Sequence, residues 1–249
     1  MDPRLVRELL ERVQGSDVSI EDALETLSQL PFRDIGVATV DHHRALRQGV
    51  PEVIFGERKD VDQIARISEE MVRAGHNVLV TRVDPEKAAA LCARMPAFRH
   101  AAQARTLSIE VSPVAPRRRG PVAVVTAGTS DASVAEEAVV TLEAVGLTAS
   151  RFYDIGVAGI HRLFDRLDDL RRAAAVIVVA GMEGALPSVV GGIVSAPIVA
   201  VPTSVGYGTA LGGFTALFAM LTSCASGVVV VNIDSGFGAA MAVHRILKD

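Results

Sequence analysis

The sequence predicts a three-layer α/β/α domain around a parallel sheet, preceded by a smaller α/β domain. Three observations predict it. Short β-branched runs at 122–126, 174–180, 198–201 and 228–233 are apolar enough for strands buried on both faces. The last three deliver loops of glycine, small and polar residues: 181–188, 202–208 and 234–238. Helix-length segments alternate with the strands, which implies right-handed βαβ units. In such sheets ligands bind beyond the carboxyl ends of the strands, so these loops should line one crevice.

The chain has 249 residues, 49% apolar and 22% charged, enough for one large globular domain or two smaller ones. A net charge of −4 argues against general nucleic-acid binding. The one dense basic run, Arg117-Arg118-Arg119, reads as solvated linker. Met1-Asp2-Pro3-Arg4 lacks the apolar core of a signal peptide, and no apolar run reaches the roughly 18 residues of a membrane span. Two cysteines make no disulfide framework. A cytoplasmic protein without membrane or nucleic-acid partners is therefore expected. The absence of tryptophan disfavours stacking platforms for single-stranded nucleic acid.

Taken in order, residues 1–31 predict two amphipathic helices. The first carries Leu5, Val6, Leu9, Leu10 and Val13 and stops at Gly15. The second opens on Ser19 as N-cap, with Asp22 three residues on, and runs through Ala23, Leu24, Leu27 and Leu30 to Pro31. A strand from Ile35 enters the polar turn Asp41-His42-His43-Arg44, and another short strand lies within 51–57. A helix at 61–74, a strand at 78–81 and a helix at 85–94 complete an amino-terminal domain over 1–112. Residues 113–120, rich in proline and arginine, read as the linker, and 121–249 as the second domain. There the strand 122–126 is followed by a helix from about 132 to 145 stopped by Gly146. Residues 151–155 form the expected second strand, 163–173 a helix and 214–221 another.

Several positions could carry chemistry. Gly128-Thr129-Ser130-Asp131 lies between a strand and a helix, where free N–H groups and the helix dipole favour a phosphate; Ser130 or Asp131 as a plain N-cap is the alternative. His161, beside Arg162, lies at a strand-to-helix turn, where a satisfied loop histidine is the usual outcome and a functional one the alternative. Glu183 stands between Gly181 and Gly184 directly after a buried strand, where restricted solvation would raise its pKa as suits an acid or base. A surface carboxylate is the plainer alternative. Cys224 follows a helix whose carbonyl end does not favour a thiolate, and Cys92 on an amphipathic helix reads as core. His42-His43 lacks partners at metal-ligand spacing, so no zinc site is expected and metal ligands stay unassigned.

The segments 124–131, 158–162 (Ala-Gly-Ile-His-Arg) and 179–187 resemble the PurE-type aminoimidazole ribonucleotide carboxylase/mutase superfamily. That family has a G-S-x-S-D phosphate loop, a catalytic histidine in an S-A-H-R segment and a glycine-rich loop ending in H-L-P. This chain keeps Ser130-Asp131 and His161-Arg162, but has Ala185 before Leu186-Pro187 and adds Glu183. The resemblance implies a PurE-like, flavodoxin-like sheet.

A closer resemblance covers nearly the whole chain. Asp34-Ile35-Gly36, Ala38-Thr39-Val40-Asp41-His42-His43-Arg44 and Pro51-Glu52-Val53-Ile54-Phe55-Gly56 resemble the amino-terminal half of the LarB family. Residues 202–208, Ser223-Cys224-Ala225 and 232–238 resemble its carboxyl half. Members are pyridinium-3,5-biscarboxylic acid mononucleotide synthases, which open the route to the nickel-pincer cofactor. The resemblance implies carboxylation of the pyridinium ring of nicotinic acid adenine dinucleotide with CO2 or bicarbonate, and release of AMP. It also implies Mg2+ on the substrate's diphosphate and a homo-oligomer, an octamer by likeness to the superfamily; the small-residue region 191–213 offers flat surfaces for it.

On this resemblance Cys224 is the nucleophile, and Glu183 and His161 are candidates for proton transfer. Gly128, Thr129, Ser130, Asp131, Asp154, Arg162, Gly181, Gly184, Ser204 and Asp234 form the expected substrate-binding set. An electron-poor pyridinium will not attack CO2, whereas a thiolate adduct turns carbon 5 into a nucleophilic enamine carbon. Two other readings stay open: a purine-type carboxylase or mutase, and a non-catalytic nucleotide-binding protein.

Overall fold

A computed structural model describes residues 3–28, 32–117 and 119–247. They fall into two compact units, residues 1–113 and 114–249. Met1, Asp2, Leu30, Pro31 and Arg118, all used in the sequence reading, lie outside the described residues.

The first unit opens with α1 (Pro3–Gln14) and α2 (Ile20–Ser28). Ser19 caps α2 as its spacing predicts: its hydroxyl accepts the Asp22 N–H at 3.0 Å and donates to the Asp22 carboxylate at 2.7 Å. The strand expected from Ile35 is replaced by a two-residue ribbon, β1 (Arg33–Asp34) antiparallel to β2 (Thr39–Val40). Gly36 is the reason: its left-handed backbone (φ +80°) reverses the chain, and its N–H donates to the Asp34 side chain at 2.8 Å.

Next come α3 (Arg44–Gln48), β3 (Ile54–Phe55), α4 (Val61–Arg73), β4 (Val78–Thr81) and α5 (Pro85–Arg94). A hairpin that the sequence reading did not contain closes the unit, β5 (Arg99–Ala101) with β6 (Thr106–Ile109). The sheet order is β3-β4-β6-β5, parallel only between β3 and β4. Ile64, Met71, Val80, Leu91 and Leu107 are buried in its core. Each such side chain contributes about 1.5–3 kcal/mol of burial. His42 is also buried, its Nε2 3.0 Å from the Glu70 carboxylate, which Arg73 also engages.

The second unit holds β7 (Val122–Thr126), α6 (Ala132–Ala144), β8 (Ala149–Phe152), α7 (Ile160–Phe164), α8 (Leu167–Arg171), β9 (Ala175–Ala180), α9 (Leu186–Gly191), β10 (Ile198–Pro202), α10 (Phe214–Leu221), β11 (Val228–Val230) and α11 (Gly236–Ile246). The strand order is β11-β10-β9-β7-β8 and every pair is parallel, as predicted. This is the flavodoxin-like order, with its switch point between β7 and β9. One face packs on Leu163, Leu170, Leu186, Val190, Ala216 and Met220, whereas α6 and α11 pack together on the other.

Four element assignments change. The helix expected at 163–173 is broken into α7 and α8, which leaves Leu163 and Leu170 buried in one cluster. The strand expected at 151–155 is β8, ended before Asp154, whose φ is +58°. The strand expected at 228–233 stops at Val230. Residues 236–246, read only as a glycine loop at their start, form α11. A side chain at Gly236 would collide with the Val134 carbonyl oxygen of α6, so the glycine permits the close approach of two helices. The proline-rich segment before β7 packs on the second unit: Arg117 donates from its N–H to the Gly146 carbonyl at 2.9 Å.

Candidate active site

All strands of the second unit point the same way, so the loops at 127–131, 153–159, 181–185, 203–213 and 231–235 share its carboxyl edge. These loops hold every expected site residue except His161 and Arg162, which stand in α7 directly after one of them, and Cys224.

Asp131 is the strut of the edge. It is 3% exposed; one oxygen accepts the Gly128 N–H at 2.9 Å and the other the Thr203 hydroxyl at 2.8 Å. Burial pushes its carboxyl above the usual carboxylate range, against the downward pull of the bonds from Thr203 and Gly128; the nearby Asp234 charge adds to the rise. Both oxygens therefore serve the protein, and the side chain does not cap α6. Thr129 and Ser130, by contrast, are exposed on the 3₁₀ turn that leads into α6.

Asp234 accepts the Ser204 N–H at 2.8 Å, joining the loops after β10 and β11. Asp154 donates its N–H to the Thr126 hydroxyl at 2.9 Å and pairs with the Arg162 guanidinium. His161 is exposed on the first turn of α7. Among the described residues of this unit four non-glycine residues adopt left-handed backbone: Asp154, Met182, Leu211 and Asp234. Each lies after a different strand, and such strain, of order 1–3 kcal/mol apiece, gathers at functional edges.

Glu183 departs from expectation. It is exposed, not shielded. The buried members of its loop are the glycines: a side chain at Gly181 would collide with the Val205 carbonyl and lie 2.6 Å from the Thr203 hydroxyl. One at Gly184 would lie 2.8 Å from the Ala216 carbonyl. The backbone packs inward at both glycines and turns Met182 and Glu183 outward.

Cys224 is exposed, in the turn between α10 and β11. That turn leads into Val228, which pairs with Ile198 where β10 begins; Ile198 in turn pairs with Val176 near the start of β9. The thiol thus lies towards the edge where strands start. The eight residues of α10, about 12 Å of helix, separate it from the Gly213 end of the crevice loops. Within one chain it is not assembled with Glu183 or Asp131. Cys92 is half-buried against the core of the first unit.

A resident cation finds little here. Among the described residues no group of three or more His, Cys, Asp or Glu side chains could hold a metal ion. Asp131 has given both oxygens, and Asp234 one, to backbone or hydroxyl donors. Sequence reasoning missed Thr203 as the partner of Asp131; its only signal was its place at the end of a buried strand.

Residues 32–112 match the LarB/PurE-like N-terminal domain and residues 121–249 match AIR carboxylase. The two models in this order decide the family. The chain belongs to the LarB family. An uncharacterized protein of Methanocaldococcus jannaschii is 39% identical over 251 residues, covering 98% of this LarB chain and 97% of its own. Two solved structures from Treponema denticola, PurE and a variant of PurE2, are each 22% identical and cover 53% of this chain. They cover 83% and 82% of their own chains, with TM-scores of 0.44 and 0.45. The LarB and AIR carboxylase matches make this a carboxylase-like family. Among the described residues no helix is long and apolar enough to cross a membrane.

Proposed function

We propose that this LarB-family chain carboxylates the pyridinium ring of nicotinic acid adenine dinucleotide and cleaves its phosphoanhydride. The products are pyridinium-3,5-biscarboxylic acid mononucleotide and AMP, the first step towards a nickel-pincer cofactor. The observation that carries this reading is an exposed thiol, Cys224, in a chain of this domain order. A purine-type carboxylase has no use for it.

The Cys224 thiolate adds to the cationic ring and gives a neutral dihydropyridine. Carbon 5, now an enamine carbon, forms a bond to CO2. Glu183, with its carboxylate turned outward beside the crevice, takes the proton from carbon 5; His161 is the alternative base. The electron pair of that C–H bond restores the aromatic ring as the thiolate leaves. Water then cleaves the phosphoanhydride and AMP departs. Thr129 and Ser130 at the entry of α6 hold a phosphate, with Asp131 and Thr203 fixing the loop beneath. A cation on the diphosphate, most simply Mg2+, arrives with the substrate.

Because Cys224 stands a helix length from its own crevice, the thiol that reaches the ring belongs to a second copy of the chain. The homo-oligomer, an octamer on this reading, is then part of the site. Phe214, Phe218 and Leu221, exposed along α10, supply apolar surface for it.

Incubation with the dinucleotide, bicarbonate and Mg2+, followed by mass spectrometry, tests the proposal: the biscarboxylated mononucleotide and AMP should appear together. The match of residues 121–249 to AIR carboxylase favours a second reading, a purine-type carboxylase or mutase. Turnover of aminoimidazole ribonucleotide in place of the pyridinium substrate would establish that one instead.

A further inference from the structure

Two large side chains at the crevice rim have no part in the chemistry above. Tyr207 is 81% exposed and Met182 is 42% exposed. Their loops are tied together. The Met182 N–H donates to the Val205 carbonyl at 2.9 Å, and a Cβ added at Gly206 would lie 3.6 Å from the Met182 sulfur. Tyr207 is held from its other side as well, since its carbonyl accepts the Ala210 N–H at 3.1 Å.

Backbone shape sets the arrangement, with strain at Met182 and glycines either side of Tyr207. Met182 has φ +52°, and Tyr207 is flanked by Gly206 at +154° and Gly208 at +57°. A Cβ at Gly208 would meet nothing within 4 Å, so that glycine serves backbone shape and not space. An aromatic ring carried on a fixed backbone, yet left outside its own core, is placed for something that comes from outside. Glu183, the base assigned above, is the next residue after Met182.

We propose that Tyr207 and Met182 form an open clip for the cationic pyridinium ring of the substrate, an inference that rests on the function proposed above. The face of the tyrosine ring attracts a cationic ring, as aromatic faces attract quaternary ammonium groups. The thioether is polarizable and adapts to a flat surface. The ring is cationic only until the thiolate adds, so the contact favours substrate over adduct. Its loss should therefore raise KM and leave kcat unlowered.

The test measures dissociation constants of full-length wild type, Tyr207→Ala and Tyr207→Phe in bicarbonate-free buffer. Two ligands are compared, nicotinic acid adenine dinucleotide and its neutral dihydropyridine form, with light scattering on each protein. Tyr207→Ala should weaken binding of the cationic form about 3- to 30-fold, leave the neutral form little changed and keep the oligomer mass. Tyr207→Phe, which retains an aromatic face, should bind like wild type. Equal weakening of both forms, or an altered oligomer mass with unchanged preference for the cationic ring, would overturn the clip. Wild type that neither binds nor turns over the dinucleotide would overturn the proposed function and the clip with it. Wild-type turnover with an indistinguishable Tyr207→Ala protein would overturn the clip alone.

Discussion

The hydroxyl of Thr203 donates to the Asp131 carboxylate at 2.8 Å, joining the loops after β10 and β7 across the end of the strand between them, β9. Thr203 is fully buried and Asp131 nearly so. Thr203→Val keeps the shape and removes the donor, leaving a buried carboxylate oxygen without that bond. The expected cost is about 1–3 kcal/mol, read from urea denaturation. A variant as stable as wild type would mean that the strut contributes nothing.

Asp131 also sets a pH dependence. Its folded pKa is raised, chiefly by burial. Its contribution is therefore fully present below the unfolded carboxylate value and is lost as pH rises through the folded one. An amide in place of the acid can accept from Gly128 and donate to a reoriented Thr203 hydroxyl without ever ionising. Asp131→Asn should thus gain stability relative to wild type as pH climbs from about 4 to neutrality. Thermal melts over that range check it; a variant that loses ground with rising pH would contradict it.

Gly181→Ala should disrupt the same edge. The new methyl would collide with the Val205 carbonyl and press on the Thr203 hydroxyl, both on the neighbouring loop. Overpacking of this kind costs about 1–3 kcal/mol, and here it would also displace Glu183. Denaturation and turnover should both suffer; an unchanged protein would remove the close approach from the account.

What was legible in the sequence follows from how each segment is buried. β7, β9 and β10 lie inside the sheet, so their apolar runs carry few competing signals, and their extents came out within a residue or so. The hairpin at Arg99–Ala101 did not stand out because its first strand is short and its arginine and histidine are exposed. α11 was hidden by Gly236 and Gly238, poor helix formers on propensity but at Gly236 required by the packing on α6. In the site, the strand-end loops were readable from order alone. The outward turn of Glu183 was not, because the partners of Gly181 and Gly184 are far away in the chain. The order helix, Cys224, strand already places the thiol towards the starting edge of the sheet, but its assignment to the site came from family resemblance.

That separation gives a test of the shared site. Cys224→Ser and Glu183→Gln should each lack most activity, the second by about 10²–10⁴-fold if its carboxylate is the base. Co-expressed and assembled together, the two variants should regain activity, because some sites then draw an intact thiol from one chain and an intact carboxylate from another. Mixed assemblies as inactive as either parent would put both groups on the same chain.

The most direct measurement of the central claim follows the carbon. Wild type, Cys224→Ser and Cys92→Ser are each incubated with nicotinic acid adenine dinucleotide, Mg2+ and 13C-labelled bicarbonate, and the products are analysed by mass spectrometry. The account predicts label in a biscarboxylated pyridinium mononucleotide, with AMP, for wild type and Cys92→Ser, and none for Cys224→Ser. Equal incorporation by Cys224→Ser would contradict covalent catalysis by the thiol, and no label with wild type would contradict the carboxylation itself.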